Sequence, residues 1–312
     1  MKEPAACIIT EMKKILVIGS AVVDVVINLD HLPSKSEDVH VLSQHMSLGG
    51  CAYNTSDIIR HFGVPYIPFF PVGTGAYGDF VRSKLAERGI TSPIPTPGRD
   101  NGCCYCFVEA DGERTFVSYH GAEYLFERSW FDTLDASEIS SVYICGLEIE
   151  ETTGVNIVDY LELHPEFSVF FAPGPRLNRI EPELMERIFR LHPVLHLNEE
   201  EALTYTGANS RSDAARSLYQ HSHNTVLITL GKDGCYFYDG TKEYTVPGVP
   251  AVQTDTIGAG DSHIGAILAA LQLGKPLPEA IAMANRVSAK VVETPGALLS
   301  EQAFRELHLT EE

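Results

Sequence analysis

The sequence lacks a long apolar run and any cluster of basic residues. No apolar stretch approaches the roughly 20 residues that a membrane-spanning helix needs. Lysine and arginine together number 23, against 42 aspartate and glutamate residues, which gives a formal net charge of −19. Such a surface should repel nucleic acids and anionic membranes, so we expect neither as a partner. A nucleotide stays compatible with this charge, because a small anion responds to the nearest hydrogen-bond donors and Mg²⁺.

A regular cysteine pattern is also missing. The seven cysteines are odd in number and irregular in spacing, which predicts neither a disulfide framework nor a zinc site. Cys103, Cys104 and Cys106 are close together, but in a strand only Cys104 and Cys106 would share a face. Residues 1–11 contain acidic residues and a proline, unlike a signal peptide, and we expect them to form a disordered extension. These features predict a protein of the reducing cytoplasm.

Strands and helices are predicted to alternate along most of the chain. From Ser141 onward, apolar runs such as VYICGLEI, SVFFAPGP, VLHLN and TVLITLG are separated by segments with helical periodicity. This alternation predicts an α/β fold whose parallel sheet is covered on both faces. Four polar residues fall at or just past the ends of predicted strands: Asp24, Asn198, Thr229 and Asp255. Because ligands of such folds bind at the carboxyl ends of the strands, we expect a site at that edge.

Residues 101–120 have the pattern of a β-hairpin. Two alternating runs flank Asp111-Gly112, a dipeptide typical of tight turns. A hairpin outside the main sheet needs cover for its apolar face. With the strand-like segments near residues 25–30 and 39–47 it could form a small second sheet, and an ordinary peripheral hairpin is the alternative.

The stretch QTDTIGAGDSHIGAILAALQLG, residues 253–274, combines a glycine-rich turn with the start of a helix. Gly258, Ala259 and Gly260 precede apolar residues at helical spacing. The first amides of a helix lack partners and lie at the positive end of its dipole, so this turn is suited to bind a phosphate. Asp261 beside it could take a proton from an attacking hydroxyl, or it could simply stabilise the first helical turn.

The segment DTIGAGD, from Asp255 to Asp261, resembles the C-terminal signature of the ribokinase-like (PfkB) carbohydrate kinases. The resemblance extends over nearly the whole chain, from Lys13 to Ala297. It implies that Asp261 is the catalytic base and that the Gly-Ala-Gly amides form the anion hole for the transferring phosphoryl group.

The same resemblance implies a fold and a domain organisation. The fold would be a three-layer α/β/α sandwich with a mostly parallel central sheet and a small β-sheet lid over the substrate. The main domain would comprise residues 12–27, 48–100 and 121–312, and the lid residues 28–47 and 101–120. Lids of relatives often pair between subunits, so the lid is a candidate homodimer interface.

Candidate substrate ligands come from the N-terminal region. Gly49, Gly50 and Asn54 match the family's Gly-Gly-x-x-x-Asn signature, in which the glycines admit the substrate and the asparagine donates to a hydroxyl. By pattern alone, the glycines make a turn and Asn54 a helix cap. In the family, an aspartate at the position of Asp24 grips substrate hydroxyls. The alternative for Asp24 is an exposed or turn residue.

Candidate ligands for ATP and Mg²⁺ come from the C-terminal half. Asn198 and Glu201 have the spacing of a helix capping box. In the family, an Asn-x-x-Glu pair organises Mg²⁺ and its waters, and the two interpretations are compatible. Thr229 and Gly231 would lie near the phosphates or the ribose.

Two further nucleotide-side assignments follow from the resemblance. Asn285 would line the adenine pocket, with an exposed helical asparagine as the alternative. Asp255, with residues 293–297, is the candidate site for a monovalent cation such as K⁺.

The chain departs from the family's pattern in two places. Gly73–Gly78 is a literal GxGxxG that would, at face value, indicate a dinucleotide site, and relatives usually carry aspartate where this chain has Gly75. Relatives also carry aspartate where this chain has Ala172, which leaves Arg176 as the remaining candidate contact in that loop. No GxxxxGK[ST] motif is present, so a P-loop kinase is excluded.

The sequence therefore predicts transfer of the ATP γ-phosphoryl group to a hydroxymethyl group of a sugar or sugar-like molecule. A helix N-terminus should keep Asp261 ionised. The alternatives are a nucleoside kinase of the same architecture, a non-catalytic sugar sensor, and a dehydrogenase that uses Gly73–Gly78.

Overall fold

The computed structural model describes residues 12–310, so the extension predicted for residues 1–11 lies outside the described residues. Twelve strands in this part of the chain are numbered in chain order: β1 Lys14–Ile18, β2 Val22–Asn28, β3 Ser43–Gly49, β4 Tyr66–Phe69, β5 Cys103–Val108, β6 Arg114–Tyr119, β7 Ile139–Cys145, β8 Ser168–Ala172, β9 Val194–Asn198, β10 Val226–Thr229, β11 Cys235–Tyr238 and β12 Glu243–Val246. Ten α-helices are numbered likewise: α1 Cys51–His61, α2 Gly75–Glu87, α3 Gly146–Ile149, α4 Gly154–Glu162, α5 Pro182–Arg190, α6 Glu199–Thr206, α7 Arg211–Ser222, α8 Ala259–Gln272, α9 Leu277–Val292 and α10 Glu301–Arg305.

Eight strands form the central sheet in the order β12-β11-β10-β9-β8-β7-β1-β4. The neighbours from β4 to β10 pair in parallel, whereas β11 and β12 are added antiparallel at one edge. The predicted mostly parallel sheet is confirmed. The antiparallel pair is absent from the sequence-based prediction, because no α-helix separates β10, β11 and β12 and the pair therefore lies outside the alternation of strands and helices.

The sheet is buried on both faces, as the side chains of β1 show. Ile15 and Val17 belong to one apolar core, and Leu16 and Ile18 belong to a second. Successive residues of a strand point to opposite faces, so each core covers one face. The first core includes residues of α1, α8 and α9, and the second includes residues of α4, α5 and α7. This arrangement is the predicted three-layer sandwich.

Helix α8 is buried along most of its length and packs between α1 and α9. Residues 262–270 are all buried, as expected of a helix that is apolar on nearly all sides. At Gly265 a Cβ would lie 2.6 Å from the carbonyl oxygen of Thr55, so glycine is what lets α1 approach this closely. The tight packing fixes the N-terminus of α8 beside the carboxyl ends of the parallel strands.

Four strands form the small sheet, in the order β3-β2-β5-β6. The predicted hairpin is strands β5 and β6, joined through Gly112, whose φ of 90° suits a tight turn. Strand β2 begins at Val22, inside the segment that the sequence analysis assigns to the main domain. Within residues 12–310, no helix has the length and apolarity to cross a bilayer.

Candidate active site

The glycine turn at the start of α8 presents unpaired amides. Gly258 adopts a left-handed conformation with φ of 76°, and a Cβ there would lie 2.6 Å from the Cβ of Ala297. The amide of Ala259 donates to a carbonyl oxygen of the turn at 3.3 Å. The amides of Gly258, Gly260 and Asp261 have no acceptor among residues 12–310. The unpaired donors are therefore those of the two glycines and Asp261, and the predicted contribution of Ala259 is already used within the turn.

Asp261 lies in the first turn of α8 and contacts α1. The side-chain amide of Asn54 donates to Asp261 Oδ2 at 2.9 Å, and the hydroxyl of Thr55 donates to the Asp261 carbonyl oxygen at 3.3 Å. Burial raises the pKa of Asp261 to about 6, while hydrogen bonds from Asn54 and Cys51 oppose the shift. Burial thus outweighs the ionising effect expected of the helix N-terminus. The carboxylate stays mostly ionised at neutral pH, and a pKa near the operating pH suits a general base.

Asp24 lies on β2, close enough to Asp261 for the two carboxylates to repel each other. Burial, and then the charge of Asp261, raises the pKa of Asp24 to about 6. A Cβ at Gly49 would lie 2.0 Å from Asp24 Oδ2, and a Cβ at Gly50 would lie 2.6 Å from the carbonyl oxygen of Ser20. Both glycines therefore make room for protein atoms, whereas the sequence analysis expects them to admit the substrate.

Glu148, in α3 after strand β7, is a functional candidate that the sequence analysis misses. Its Oε1 accepts a hydrogen bond from the amide of Ser20 at 2.8 Å, and its side chain is buried. Burial raises the pKa of Glu148 to about 7. The sequence carries a signal for it, because Glu148 interrupts the apolar run VYICGLEI just after the carboxyl end of a strand.

Three buried polar atoms around Asp261 have no partner among the described residues: Glu148 Oε2, Asn54 Oδ1 and Ser20 Oγ. Buried polar atoms are nearly always hydrogen-bonded, so an unpaired set calls for a ligand or water. We refer to Ser20, Asp24, Asn54, Glu148 and Asp261 as the polar cluster. It offers carboxylates, an amide and a hydroxyl, which are the groups that bind the hydroxyls of a polyol.

Two cavities meet at the start of α8. The first, of about 200 Å³, is lined by Asp261, Cys51 and Glu201 among others. The second, of about 420 Å³, extends toward α9. Asn198, Thr229 and Gly260 line both, so the two cavities form one continuous cleft, and Gly260 with its unpaired amide lies at the junction.

Asn198 and Glu201 form the predicted capping box. Asn198 Oδ1 accepts from the Glu201 amide at 2.8 Å, and Glu201 Oε2 accepts from the Asn198 amide at 2.9 Å. Burial raises the pKa of Glu201. Its other carboxylate oxygen is not used by the box, and both residues line the first cavity. Carboxylate oxygens are ligands that Mg²⁺ and its waters accept, so this pair fits the predicted metal role as well as the capping role.

Thr229 and Gly231 lie where the sequence analysis expects a nucleotide. Thr229 ends β10, lines both cavities, and its hydroxyl donates to the carbonyl oxygen of Leu197 at 3.4 Å. Gly231 has a left-handed φ of 57° and lines the second cavity together with Lys232. The second cavity therefore combines small residues with one cation, which suits phosphates.

Asn285 is buried, so its alternative as an exposed helical residue is wrong. Its amide nitrogen donates to the carbonyl oxygens of Val246 and Pro247, at 3.1 and 2.9 Å. Asn285 Oδ1 must then be the acceptor for His263 Nε2, at 3.0 Å. The residue lines the second cavity, but its amide is already committed to the protein.

The same chain of hydrogen bonds continues to His196. Because His263 Nε2 carries a proton, its Nδ1 accepts from His196 Nε2 at 2.9 Å. Burial lowers the pKa of His263 to about 4 and holds that of His196 well below its usual value, so both rings are neutral. His196 lines the first cavity and His263 the second, so their hydrogen bond connects the walls of the two cavities.

Arg176 pairs with an acidic residue of the protein. Its guanidinium Nη1 lies 3.0 Å from Glu150 Oε1. Its neighbours Gly174 and Pro175 line the first cavity. Arg176 therefore supports the wall of that cavity through Glu150.

The carboxylate of Asp255 has an arginine as partner. Asp255 Oδ1 accepts from Arg114 Nη1 at 2.6 Å and from the Ile257 amide at 3.0 Å, and Oδ2 accepts from the Gly296 amide at 3.1 Å. Although burial raises the pKa of Asp255, these hydrogen bonds hold it below its usual value. A K⁺ ion at Oδ1 would lie beside the guanidinium charge and be repelled. The groups around Asp255 therefore do not fit the predicted monovalent cation.

The GxGxxG segment packs against protein atoms. A Cβ at Gly73 would lie 2.1 Å from the carbonyl oxygen of Arg99, and one at Gly78 would lie 2.1 Å from that of Gly73. Gly75 faces Asp100, whose Oδ1 accepts from the Thr74 hydroxyl at 2.6 Å. These contacts fill the space that a pyrophosphate would need, which argues against a dinucleotide site.

The parallel sheet is covered on both faces, and its cleft combines unpaired helix-terminal amides with a buried carboxylate. This arrangement is typical of the α/β kinases of small molecules. The chain belongs to the pfkB family of carbohydrate kinases, whose sequence model matches residues 12–303. Its relatives include the "Uncharacterized sugar kinase YegV" of Escherichia coli (strain K12), which is 33% identical over 288 residues, covering 91% of this chain and 90% of that protein.

Solved structures share the fold. Ribokinase from Thermotoga maritima superimposes with a TM-score of 0.81 at 21% identity, covering 95% of this chain and 99% of that chain. Adenosine kinase from Sinorhizobium meliloti gives a TM-score of 0.82 at 18% identity, with the same coverage of both chains. These structures confirm the predicted ribokinase-like fold, and the family model and the relatives confirm the predicted family and its carbohydrate kinase class. The fold is equally close to a sugar kinase and a nucleoside kinase, so it does not identify the acceptor.

Proposed function

We propose that the protein transfers the γ-phosphoryl group of ATP to a hydroxymethyl group of a sugar or sugar-like acceptor. One observation carries the proposal: Asp261, which lines the first cavity, directly follows Gly260, whose unpaired amide belongs to a residue that lines both cavities. A base and an anion site at one point are what an in-line transfer between two substrates requires.

The residues would act as follows. Asp261 accepts the proton of the acceptor hydroxyl as the hydroxyl oxygen bonds to the γ-phosphorus, while the bond from that phosphorus to the bridging oxygen breaks and ADP leaves. The unpaired amides donate to the phosphoryl oxygens and stabilise the charge that builds there. Mg²⁺, held near Glu201 and Asn198, would supply further neutralisation of the phosphates. Catalysis of this kind depends mainly on positioning and electrostatics. The buried helix α8 holds Asp261 and the unpaired amides in fixed positions, as such catalysis requires.

The acceptor would bind to the polar cluster. Glu148 Oε2, Asn54 Oδ1 and Ser20 Oγ are each left without a partner in residues 12–310, and sugar hydroxyls would pair with them. Asp24, on the small sheet, would accept from hydroxyls on the opposite side. The second cavity, with Thr229, Gly231 and Asn285 in its walls, would take the nucleotide.

A homodimer through the small sheet is part of the proposal. Its support is a set of exposed apolar side chains on that sheet: Met46, Phe116, Val117 and Tyr119. Light scattering during gel filtration should give twice the chain mass, and Phe116→Asp should shift the protein toward monomer. We also propose a cytoplasmic location, supported by the six free cysteines of the described residues.

An ADP-release assay across sugars and nucleosides tests the proposed activity. We expect ADP release with at least one sugar and little with nucleosides, and a rise in Tm when that sugar is present in excess. Release with nucleosides alone would assign the protein to the nucleoside kinases. A Tm shift with sugar but no ADP release would indicate a sugar sensor.

A further inference from the structure

Arg114 joins the small sheet to the glycine turn. It is the first residue of β6, next to the tip of the hairpin, and its Nη1 donates to Asp255 Oδ1 at 2.6 Å. The two residues are 141 positions apart in sequence. Asp255 immediately precedes the turn that carries the unpaired amides, so this ion pair connects the small sheet to the anion site.

The carboxylate of Asp255 holds the turn in shape. Besides Arg114, it accepts from the amide of Ile257 within the turn and from the amide of Gly296 in the loop after α9. Gly258 packs against Ala297 of that same loop. One carboxylate therefore fixes both the start of the turn and the loop behind it.

Such a carboxylate needs a positive partner. Asp255 is only 9% exposed, and a charge so far from water is costly unless it is paired. Arg114 is itself 29% exposed and donates a charge-assisted hydrogen bond, which is stronger than a neutral one. If Arg114 moved away with the hairpin, Asp255 would keep only its two amide donors, and the turn would lose its counterion.

We propose that Arg114 is a positioning residue that ties the small sheet to the glycine turn through Asp255 and serves there in place of a monovalent cation. The unpaired amides then have their working geometry only while the hairpin is docked on the turn. Because the counterion belongs to the chain, activity needs no added K⁺.

The kinetic test compares Arg114→Ala and Arg114→Lys with a matched control, Arg187→Ala. Arg187 also pairs with carboxylates, but it does so on the far helix α5. Activity is measured in about 100 mM KCl or choline chloride, so that screening is equal. We expect the wild type to differ less than about twofold between the two salts. Arg114→Ala should lose roughly 10- to 100-fold in kcat in choline chloride and recover partly in KCl, because the change removes a charge-assisted hydrogen bond.

This kinetic arm depends on the proposed function, so a second arm needs no turnover. The Tm of each protein is measured in the two salts, and the hairpin is probed with a protease that cleaves after glutamate, at Glu109 and Glu113. We expect K⁺ to leave the Tm of the wild type unchanged and to raise that of Arg114→Ala. The hairpin of Arg114→Ala should be cut faster than that of Arg187→Ala.

Two results would overturn the proposal. One is a wild-type protein whose Tm or kcat depends strongly on K⁺. The other is an Arg114→Ala variant that matches the Arg187→Ala control in Tm, cleavage and kcat. If the wild type phosphorylates no acceptor, the proposed function fails, and the Tm and cleavage results still decide the role of Arg114.

Discussion

The polar cluster and the second cavity satisfy their polar groups in opposite ways. In the polar cluster, three buried atoms lack partners among the described residues, and three carboxylates have raised pKa values. In the wall of the second cavity, the chain from Asn285 through His263 to His196 is complete.

Under the proposed function, this difference would give two modes of binding. Sugar hydroxyls would supply the missing partners of the polar cluster, so the cluster would discriminate by hydrogen bonds. The second cavity presents small residues and hydrogen bonds that are already made within the protein, so it would select the nucleotide by shape and by phosphate charge. The unpaired groups of the polar cluster would then lower the stability of the ligand-free protein, whereas the second cavity would not.

The largest expected effect is on the base. Asp261→Asn keeps the hydrogen bond to Asn54 but cannot take a proton, so kcat should fall by roughly 10²- to 10⁴-fold with an unchanged fold. Steady-state kinetics with circular dichroism measure both. Near-normal turnover of this variant would show that Asp261 is not the base. It would also contradict the proposed difference between the polar cluster and the second cavity.

Glu148→Gln is expected to weaken binding of the acceptor and to raise the stability of the ligand-free protein. The variant should lower kcat/KM for the acceptor by roughly 10- to 100-fold, because a charged hydrogen-bond acceptor is lost, while KM for ATP stays the same. Asp24→Asn, which changes another proposed ligand of the acceptor, is the matched comparison.

The same variant should raise the stability of the ligand-free protein at pH 8. Burial shifts the pKa of Glu148 from 4.5 to about 7, so the folded state favours the protonated acid. The stability that this provides is present below about pH 4.5 and is lost as the pH rises through 7, a difference of about 3 kcal/mol. Glutamine stays neutral, so thermal unfolding at pH 8 should show a higher Tm than the wild type. A lower Tm would mean that Glu148 is a structural residue.

The pH dependence of kcat reports on the ionisation of Asp261. Asp261 must be ionised to act, and its pKa of about 6 places the acid limb there, so the rate at pH 5 should be about a tenth of the plateau. The charge of Asp261 in turn raises the pKa of Asp24, so Asp261→Asn should lower the pKa of Asp24, which an NMR titration measures. An Asp24 carboxyl that titrates at the same pH in both proteins would contradict the proximity of the two carboxylates.

The smallest effects are expected in the wall of the second cavity, which we propose binds the nucleotide. His263→Phe leaves His196 Nε2 and Asn285 Oδ1 buried without partners, at a cost of about 1–3 kcal/mol in the free energy of unfolding. Adding His196→Leu removes one of these unpaired groups. The loss in free energy of unfolding should therefore be smaller in the double variant than the sum of the losses in the two single variants. Urea unfolding measures the difference, and KM for ATP should rise more than KM for the acceptor. Additive changes would show that the two rings are energetically independent.

Much of the fold could be predicted from local pattern. The alternation of strands and helices, the hairpin around Asp111-Gly112 and the turn before Asp261 are all encoded within short segments. The capping box of Asn198 and Glu201 is of the same kind, since both partners lie within one helical turn. Strands β11 and β12 were missed because they follow β10 without an intervening α-helix and so lie outside that alternation.

The site could be predicted only in part, because most of its contacts join distant segments. Glu148 meets Ser20 across 128 positions and Arg114 meets Asp255 across 141, and neither spacing has a local pattern. An exposed position for Asn285 was an open alternative in the sequence. The carbonyl oxygens of Val246 and Pro247 that accept from its side chain lie far from its helix in sequence, so no local pattern predicts them.

The sequence by itself determined the class of fold, the glycine turn and the acid beside it, because backbone propensity and periodicity act over a few residues. Tertiary structure alone decided which acids repel each other, which amides stay unpaired and which cation faces Asp255. Those properties depend on burial and on distances between atoms, and both exist only once remote segments are packed together.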